Sequence, residues 1–174
     1  ATPVANGGTA LTSGFVNGNW SGSQIFRLTT SFTNAASPIA SNWEEVDTLG
    51  YGQVGSYVSQ SSGKFTFSTT GFYKVEFSLV VGGNVDNRII YNRILYSSDN
   101  GSNYSVATSS GGFLHTGAYR RFGSYSAHQV DITDTSNHCI AFAVAHQEGT
   151  TNNETLGDST ISYTNVIFTR LGDT

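Results

Sequence analysis

The sequence predicts an all-β fold, a sandwich of about ten antiparallel strands. The segment from Gly63 to Val81, GKFTFSTTGFYKVEFSLVV, carries the clearest pattern, because apolar side chains alternate strictly along its second half. Successive side chains of a strand point to opposite faces, so the segment predicts a short strand, a glycine-closed turn and a long strand with one apolar face. In addition, no window places apolar residues at helical spacing over three turns.

Further candidate strands follow one another along the chain. The full set is 25–32, 43–46, 54–59, 64–67, 72–81, 89–97, 104–108, 119–132, 139–146 and 160–170. Asn100–Gly101 predicts a tight hairpin turn, since both residues tolerate positive φ angles. Residues 1–24 are rich in Gly, Asn, Thr and Ser and predict an extended lead-in or linker, which leaves residues 25–174 for the folded domain.

Composition narrows the class of protein. The chain has 174 residues, enough for one domain with a real core, and only 11% of them are charged. The net charge is −4 and the densest basic spot is Arg120–Arg121, so nucleic acid is not an expected partner. The sequence contains no apolar window of about 18 residues, so it does not predict a membrane-spanning helix. The single cysteine, Cys139, cannot form an intrachain disulfide and is expected to be a buried small apolar residue.

The sequence contains no motif that predicts a catalytic, cofactor or metal site. GYGQVG, at 50–55, matches a dinucleotide fingerprint, but a strand rather than a helix is predicted to follow it. His138 and His146 lie at the two ends of one strand, about 26 Å apart, and cannot share a metal ion within it. Carboxylates cluster at 44–47 and 131–134 without a recognisable calcium pattern. We therefore expect no catalytic residue, no cofactor and no metal.

The glycine-aromatic-tyrosine motif, at 71–73, carries a family resemblance. The pattern F-x-F-x-x-x-G-x-Y-x-V-x-F resembles the C1q/tumour-necrosis-factor-like jelly-roll family, and DITDTSNHCIAFAVAH and STISYTNVIFTRL resemble two later strands of that family in the right order. The resemblance covers about 110 residues, from near Trp43 to the end. It implies a jelly roll of about ten strands that assembles as a homotrimer. The core residues that we predict are Phe65, Phe67, Gly71, Tyr73, Val75, Phe77, Leu79, Ile140, Phe142 and Val144.

Two side chains are candidates for a subunit interface. Phe72 and Val80 lie on the face of the long strand opposite the core, and an outer face that carries apolar residues needs a partner to cover it. The alternative is that both residues pack under a loop of their own chain.

The leading functional hypothesis is a non-enzymatic, trimeric module for surface attachment. The Ser/Thr/Asn/Gly-rich and lysine-poor composition resembles bacteriophage and other viral structural modules, which implies a virion-surface or extracellular location and a host receptor as partner. The polar loops at 82–88, 98–103, 109–118 and 147–158 are the expected contact surfaces. A carbohydrate-binding module is the first alternative, with stacking faces supplied by Trp20, Trp43, Tyr51, Tyr119 and Tyr125. A glycan-active enzyme is the second alternative.

Overall fold

The strands predicted from the sequence are arranged in two antiparallel sheets that enclose one core. A computed structural model describes residues 22–84, 87–115, 118–146 and 153–174, and it contains no helix in those residues, which confirms the all-β sandwich. The strands are β1 (Gly22–Leu28), β2 (Thr30–Thr33), β3 (Trp43–Glu45), β4 (Val58–Ser61), β5 (Lys64–Phe67), β6 (Gly71–Gly83), β7 (Asn87–Ser97), β8 (Ser105–Leu114), β9 (Arg120–Ile132), β10 (Cys139–His146), β11 (Glu154–Asp158) and β12 (Asn165–Gly172).

The seven-stranded sheet is organised around the long strand β6. β9 pairs with β6 along its whole length on one side, from Gly71 opposite Ile132 to Gly83 opposite Arg120. On the other side of β6, β12 pairs with the first part of the strand and β11 with its end. β1 and β3 lie beyond β12, and β2 lies beyond β11. The alternating strand that dominates the sequence is therefore an interior strand of the larger sheet, paired on both sides.

The five-stranded sheet has the order β4-β5-β10-β7-β8. β10 pairs with β7 along its full length, from Cys139 opposite Ser97 to His146 opposite Ile90. The connection from β7 to β8 turns at Asn100 and Gly101, whose φ angles are 59° and 85°, so the predicted tight turn is confirmed.

Aromatic side chains from both sheets fill the core between them. The rings of Phe65 and Phe168 stack with centroids 5.3 Å apart, and Phe142 meets the two rings edge-on at 5.1 and 5.9 Å. The residues that the alternating pattern assigns to the core are buried in the structure. They are Phe65, Phe67, Gly71, Tyr73, Val75, Phe77, Leu79, Ile140, Phe142 and Val144.

The glycine of the glycine-aromatic-tyrosine motif has a packing reason. Gly71 has a φ of 140°, which disfavours other residues, and a Cβ at this position would clash with the carbonyl oxygen of Gly172. Glycine therefore lets the start of β6 approach the end of β12 closely.

Several strand bounds differ from the predicted ones. β8 runs on to Leu114, so residues 109–114 are strand rather than loop, because they pair with β7 despite their polar sequence. The final strand begins at Asn165 and not at 160, because the Asp158 carboxylate accepts hydrogen bonds from the backbone N–H groups of Thr160 and Ile161 and holds a turn there.

The N-terminal part of the domain begins earlier than the alternating pattern suggests. β1 starts at Gly22, so residues 22–24 belong to a strand rather than to the lead-in. Residues 1–21 lie outside the described part of the chain, and the division into a linker and a domain remains a prediction. The candidate strand at 54–59 is replaced by an isolated bridge at Val54 and by β4 from Val58.

The outer face of the five-stranded sheet is covered by the chain's own side chains along β7 and β10, and we call this part the closed face. Leu95, Ala141 and Ala143 form a small cluster there, 4%, 0% and 0% exposed, with the Tyr104 ring packed against it. Cys139 is buried on this face as a free thiol, and its Sγ atom lies 3.8 Å from the Tyr104 hydroxyl. The expectation that Cys139 is a buried small side chain is therefore confirmed.

Candidate interaction surface

The outer face of the seven-stranded sheet differs from the closed face in what it exposes. Tyr73, Val75 and Phe77 point into the core, so the alternate residues of β6 and their partners on β9 point outward. We call this surface the open face. Its members are Phe72, Lys74, Glu76, Ser78 and Val80 on β6, and Arg121, Gly123, Tyr125, Ala127, Gln129 and Asp131 on β9.

Apolar and aromatic side chains lie at separate points of the open face. The Phe72 and Tyr125 side chains are 36% and 52% exposed, and Val80 is half-buried. Gly123 lies directly opposite Val80, and a Cβ there would meet only the Leu79 carbonyl oxygen, at 3.8 Å. The absence of a side chain at Gly123 leaves a shallow gap beside Val80.

A polar network occupies the centre of the open face. Glu76 Oε1 lies 3.0 Å from Lys74 Nζ and accepts a hydrogen bond from the Tyr125 hydroxyl at 2.5 Å. Partial burial acts to raise the pKa of Glu76, but the hydrogen bonds from Tyr125 and Lys74 outweigh it, so the pKa lies below its ordinary value. The carboxylate is thus held charged and its partners are held in place.

A second aromatic cluster lies at the far end of the open face. The Tyr119 hydroxyl lies over Gly82, where a Cβ would clash with it, and donates a hydrogen bond to Glu154 Oε2 at 2.9 Å. The Arg121 guanidinium lies 5.9 Å from the Tyr119 ring centroid and 5.5 Å from that of Tyr163. This cluster is assembled from three separate parts of the chain.

The two predicted interface residues do not form one contact. Phe72 and Val80 are eight positions apart on one strand, a separation of about 26 Å. Phe72 lies opposite Asp131 and Val80 opposite Gly123. They mark the two ends of the open face, with the Lys74–Glu76–Tyr125 network between them.

The aromatic residues proposed to stack on sugars have different environments. Trp43 is only 6% exposed and its indole N–H donates to the Ile39 carbonyl, so its assignment as a stacking face is wrong. Tyr51 is half-buried, and its hydroxyl accepts a hydrogen bond from the Ile25 N–H. Tyr119 and Tyr125 are both 52% exposed, and Trp20 lies outside the described residues.

Most of the loops predicted as contact surfaces contain strand. The segment 82–88 includes the end of β6 and the start of β7, 109–118 includes the end of β8, and 147–158 includes β11. Residues 85, 86, 116, 117 and 147–152 are outside the described part. The loop 98–103 is as predicted, and Asp99 braces it by accepting hydrogen bonds from the Asn103 backbone and side chain.

The acidic cluster at 44–47 has a structural role. Arg27 is 1% exposed and its guanidinium donates hydrogen bonds to Glu44 at 2.7 Å, Asp47 at 2.8 Å and the Thr48 hydroxyl at 2.7 Å. Burying this cation is possible because its donors meet carboxylates at the sheet surface.

No group of three or more His, Cys, Asp or Glu side chains within the described residues is placed to hold a metal ion. None of the described segments forms a helix that is long and apolar enough to cross a membrane.

Comparison with known proteins gives a structural likeness. No protein-family model matches the chain, and no curated protein matches its sequence significantly. The crystal structure of murine APRIL at pH 8.5 superposes with a TM-score of 0.60 at 10% identity, covering 86% of this chain and 98% of APRIL. The structure of Eiger TNF from S. frugiperda gives a TM-score of 0.61 at 12% identity, covering 87% and 93% of the two chains.

At such low identity the likeness shows the fold alone. It extends over 86–87% of this chain. The chain therefore folds as a TNF-like jelly roll, as its glycine-aromatic-tyrosine motif predicts.

Proposed function

We propose that this chain is a non-enzymatic attachment module that forms a homotrimer through its open face and binds a receptor on a host surface. The observation that carries the proposal is the open face itself. A single chain leaves Phe72 and Tyr125 substantially exposed on its larger sheet, while the other sheet covers its outer face along β7 and β10. Exposed apolar groups of this kind mark interaction surfaces.

A closed ring of three copies needs two different surfaces on each copy, because the contacts of a cyclic trimer are heterologous. The second surface that we propose is β8, the last strand of the five-stranded sheet, where Phe113 is 66% and Val106 51% exposed. β8 carries no charged residue. Docking of this uncharged edge on the open face of the next copy covers apolar groups on both sides.

Burial supplies a driving force of the right size. Full burial of an exposed phenylalanine side chain contributes about 1.5–3 kcal/mol, of which Phe113, 66% exposed, retains more than Phe72, 36% exposed, and a trimer repeats the contact at each of its three interfaces. The Lys74–Glu76–Tyr125 network is already satisfied within one chain, so its polar groups enter the interface with their hydrogen bonds made.

Receptor binding follows from the trimer by multivalency. Three copies of a weak site on one rigid body gain effective concentration once the first site is bound. The braced loop 98–103 is the part of the predicted contact surface that the structure holds as a loop. The loop carries one charged residue, Asp99, among serine, asparagine and glycine, which suits contact with a polar partner surface.

The setting that we propose is a virion surface of bacteriophage type. Its support is compositional: the chain has one cysteine, and its lysines are Lys64 and Lys74 only, in a sequence rich in Ser, Thr, Asn and Gly. An extracellular location fits the same composition.

Attachment can be tested directly with intact cells. The native protein and a Phe72→Asp variant, each fused to a fluorescent protein, are incubated with a panel of bacterial and cultured animal cells and washed. We expect the native protein to remain on at least one cell type and the variant to wash off at equal protomer concentration. Retention of neither protein on any cell, or equal retention of both, would contradict the proposal.

A further inference from the structure

We propose that a depression at the start of β5 binds a sugar that carries a carboxylate group, such as a uronic or sialic acid residue of a glycan. This proposal rests on the proposed function in that it names the chemistry of the receptor. None of the residues that line the depression belongs to the open face or to β8, the two surfaces of the proposed trimer contact.

The depression lies between the β4–β5 hairpin and the β7–β8 loop. It has a volume of about 590 Å³ and is lined by Ser61, Ser62, Lys64, Asn100 and Tyr104, among others. This size falls within the range of about 300–1,000 Å³ that is usual for small-molecule sites. It accommodates one or two sugar rings rather than an extended peptide.

Both walls of the depression are fixed before any ligand binds. On one side, Gly63 has a φ of 74°, and a Cβ there would clash with the Ile39 carbonyl, so the hairpin packs tightly on the chain beneath it. On the other side, the Asn100 N–H donates to the Asn137 carbonyl at 2.8 Å. Asp99 accepts hydrogen bonds from Ser97 and Asn103, which stabilise its charged form and lower its pKa to about 2. Such a site needs little ordering on binding.

Lys64 supplies a positive charge without a carboxylate partner. Its ammonium group donates to Asn100 Oδ1 at 2.8 Å and to the Asn100 carbonyl at 3.3 Å, and within the described residues no carboxylate lies within the 4.0 Å of an ion pair. Lys74, in contrast, is paired with Glu76. Two neutral acceptors therefore orient the Lys64 ammonium, and one of its three N–H groups is left for a ligand.

The remaining side chains favour a sugar over other anions. The Tyr104 ring is half-buried, and its hydroxyl is directed to Cys139 Sγ, which fixes the ring as part of the wall. The Ser61 and Ser62 hydroxyls and the Asn100 amide provide hydrogen-bonding groups at the rim. A flat apolar ring, hydroxyls, an amide and one cation match the C–H face, the hydroxyls and the carboxylate of an acidic sugar. One cation is too few for a nucleic acid backbone.

The chain offers a direct readout, because it has only two lysines, Lys64 and Lys74. Lysine labelled with ¹³C at Cε gives each of the two residues an NMR signal and leaves the ammonium groups unaltered, and Lys64→Gln and Lys74→Gln variants assign the two signals. The native protein is then titrated with methyl glucuronide and with the methyl glycoside of N-acetylneuraminic acid. We expect at least one of these sugars to shift the Lys64 signal saturably and to leave the Lys74 signal unchanged.

Calorimetry on the same two variants measures the contribution of the charge. Lys64→Gln should bind the acidic sugar at least about tenfold more weakly, as expected for loss of a hydrogen bond to a charged group, and Lys74→Gln should bind like the native protein. Methyl glucoside should bind much more weakly than methyl glucuronide. No Lys64 shift with either acidic sugar, equal affinity for methyl glucoside, or an equal response to acetate would overturn the proposal.

This test is separate from that of the subunit interface. Lys64→Gln should leave the solution mass of the protein unchanged, because Lys64 is not on the open face. Failure of sugar binding in a protein that is still a trimer would refute the site alone.

Discussion

The two outer faces of this sandwich differ in how far the chain covers them with its own side chains. On the closed face, β10 places Ala141 and Ala143 outward, and Leu95 and Tyr104 lie over them, so both alanines are fully buried. On the open face, β6 and β9 place Phe72 and Tyr125 outward and leave them 36% and 52% exposed. The chain covers the β7 and β10 part of one face with its own side chains and leaves aromatic groups exposed on the other face.

The largest expected effect comes from placing a polar side chain on each face. Ala141→Asn puts an amide into a fully buried and closely packed position, and we expect it to lower the free energy of unfolding by about 2–4 kcal/mol. Ala127→Asn changes an exposed position of the open face and should alter it by less than about 0.5 kcal/mol.

Both alanine variants are best made in the Phe72→Asp background, in which the chain is expected to be a monomer, so that only folding is measured. Urea denaturation followed by fluorescence gives the two values. Equal losses of stability at the two positions would remove the distinction between a closed and an open face.

The next largest effect tests whether β8 is the second contact surface of the proposed trimer. Phe113→Asp places a charge on the exposed edge strand β8, and we expect it to weaken trimer formation by about tenfold to a hundredfold without unfolding the chain. Leu49→Asp, at a loop position that is 83% exposed, is the control and should leave assembly intact. Concentration-dependent light scattering measures both; a trimer of unchanged stability in Phe113→Asp would exclude β8 from the interface.

A smaller effect concerns the polar centre of the open face. Tyr125→Phe removes the hydroxyl that donates to Glu76, and we expect a loss of about 1 kcal/mol in unfolding free energy. The pKa of Glu76 should rise at the same time, because one of the hydrogen bonds that lowers it is lost. NMR titration of the Glu76 carboxyl in the monomeric background checks the direction; a lower or unchanged pKa would mean that the bond does not form.

The smallest effect concerns the loop 98–103, which adjoins the closed face. The side chain and backbone of Asn103 and the Ser97 hydroxyl lower the pKa of Asp99 from 3.8 to about 2. A lowered carboxyl pKa means that the bracing is complete at neutral pH and is lost as the pH falls toward about 2. The Asn103 amide resonance should titrate with a midpoint near 2 in the native protein and show no such step in Asp99→Asn; a midpoint near 4 would contradict the bracing.

The alternation of side chains predicts the strands that have one face in the core, and it does not predict strands without that difference between faces. It identifies β5, β6, β9 and β10, since each has one face in the core and period-two patterning records that difference. It misses the end of β8, because SSGGF carries little apolar patterning and is held by pairing with β7. Propensity gives no signal where backbone hydrogen bonds alone define a strand.

Site residues are predicted less well than the fold, and for a related reason. Phe72 and Val80 follow from alternation along one strand, but the Arg121 guanidinium between Tyr119 and Tyr163 depends on strand pairing across the sheet. Trp43 is predicted to stack on sugars because it is an aromatic residue in a polar stretch of sequence. In the structure its ring packs in the core against Phe65 and Phe142, which are distant in sequence. The neutral environment of Lys64 likewise depends on a loop far away in sequence.

The central claim is that the open face joins three copies of the chain, and the solution mass of two proteins tests it most directly. Sedimentation equilibrium is run on the native chain and on Phe72→Asp at the same concentrations. We predict three times the 18.5 kDa chain mass for the native protein and a single chain mass for the variant. A native monomer at every concentration, or a variant that remains a trimer as stable as the native one, would contradict the account.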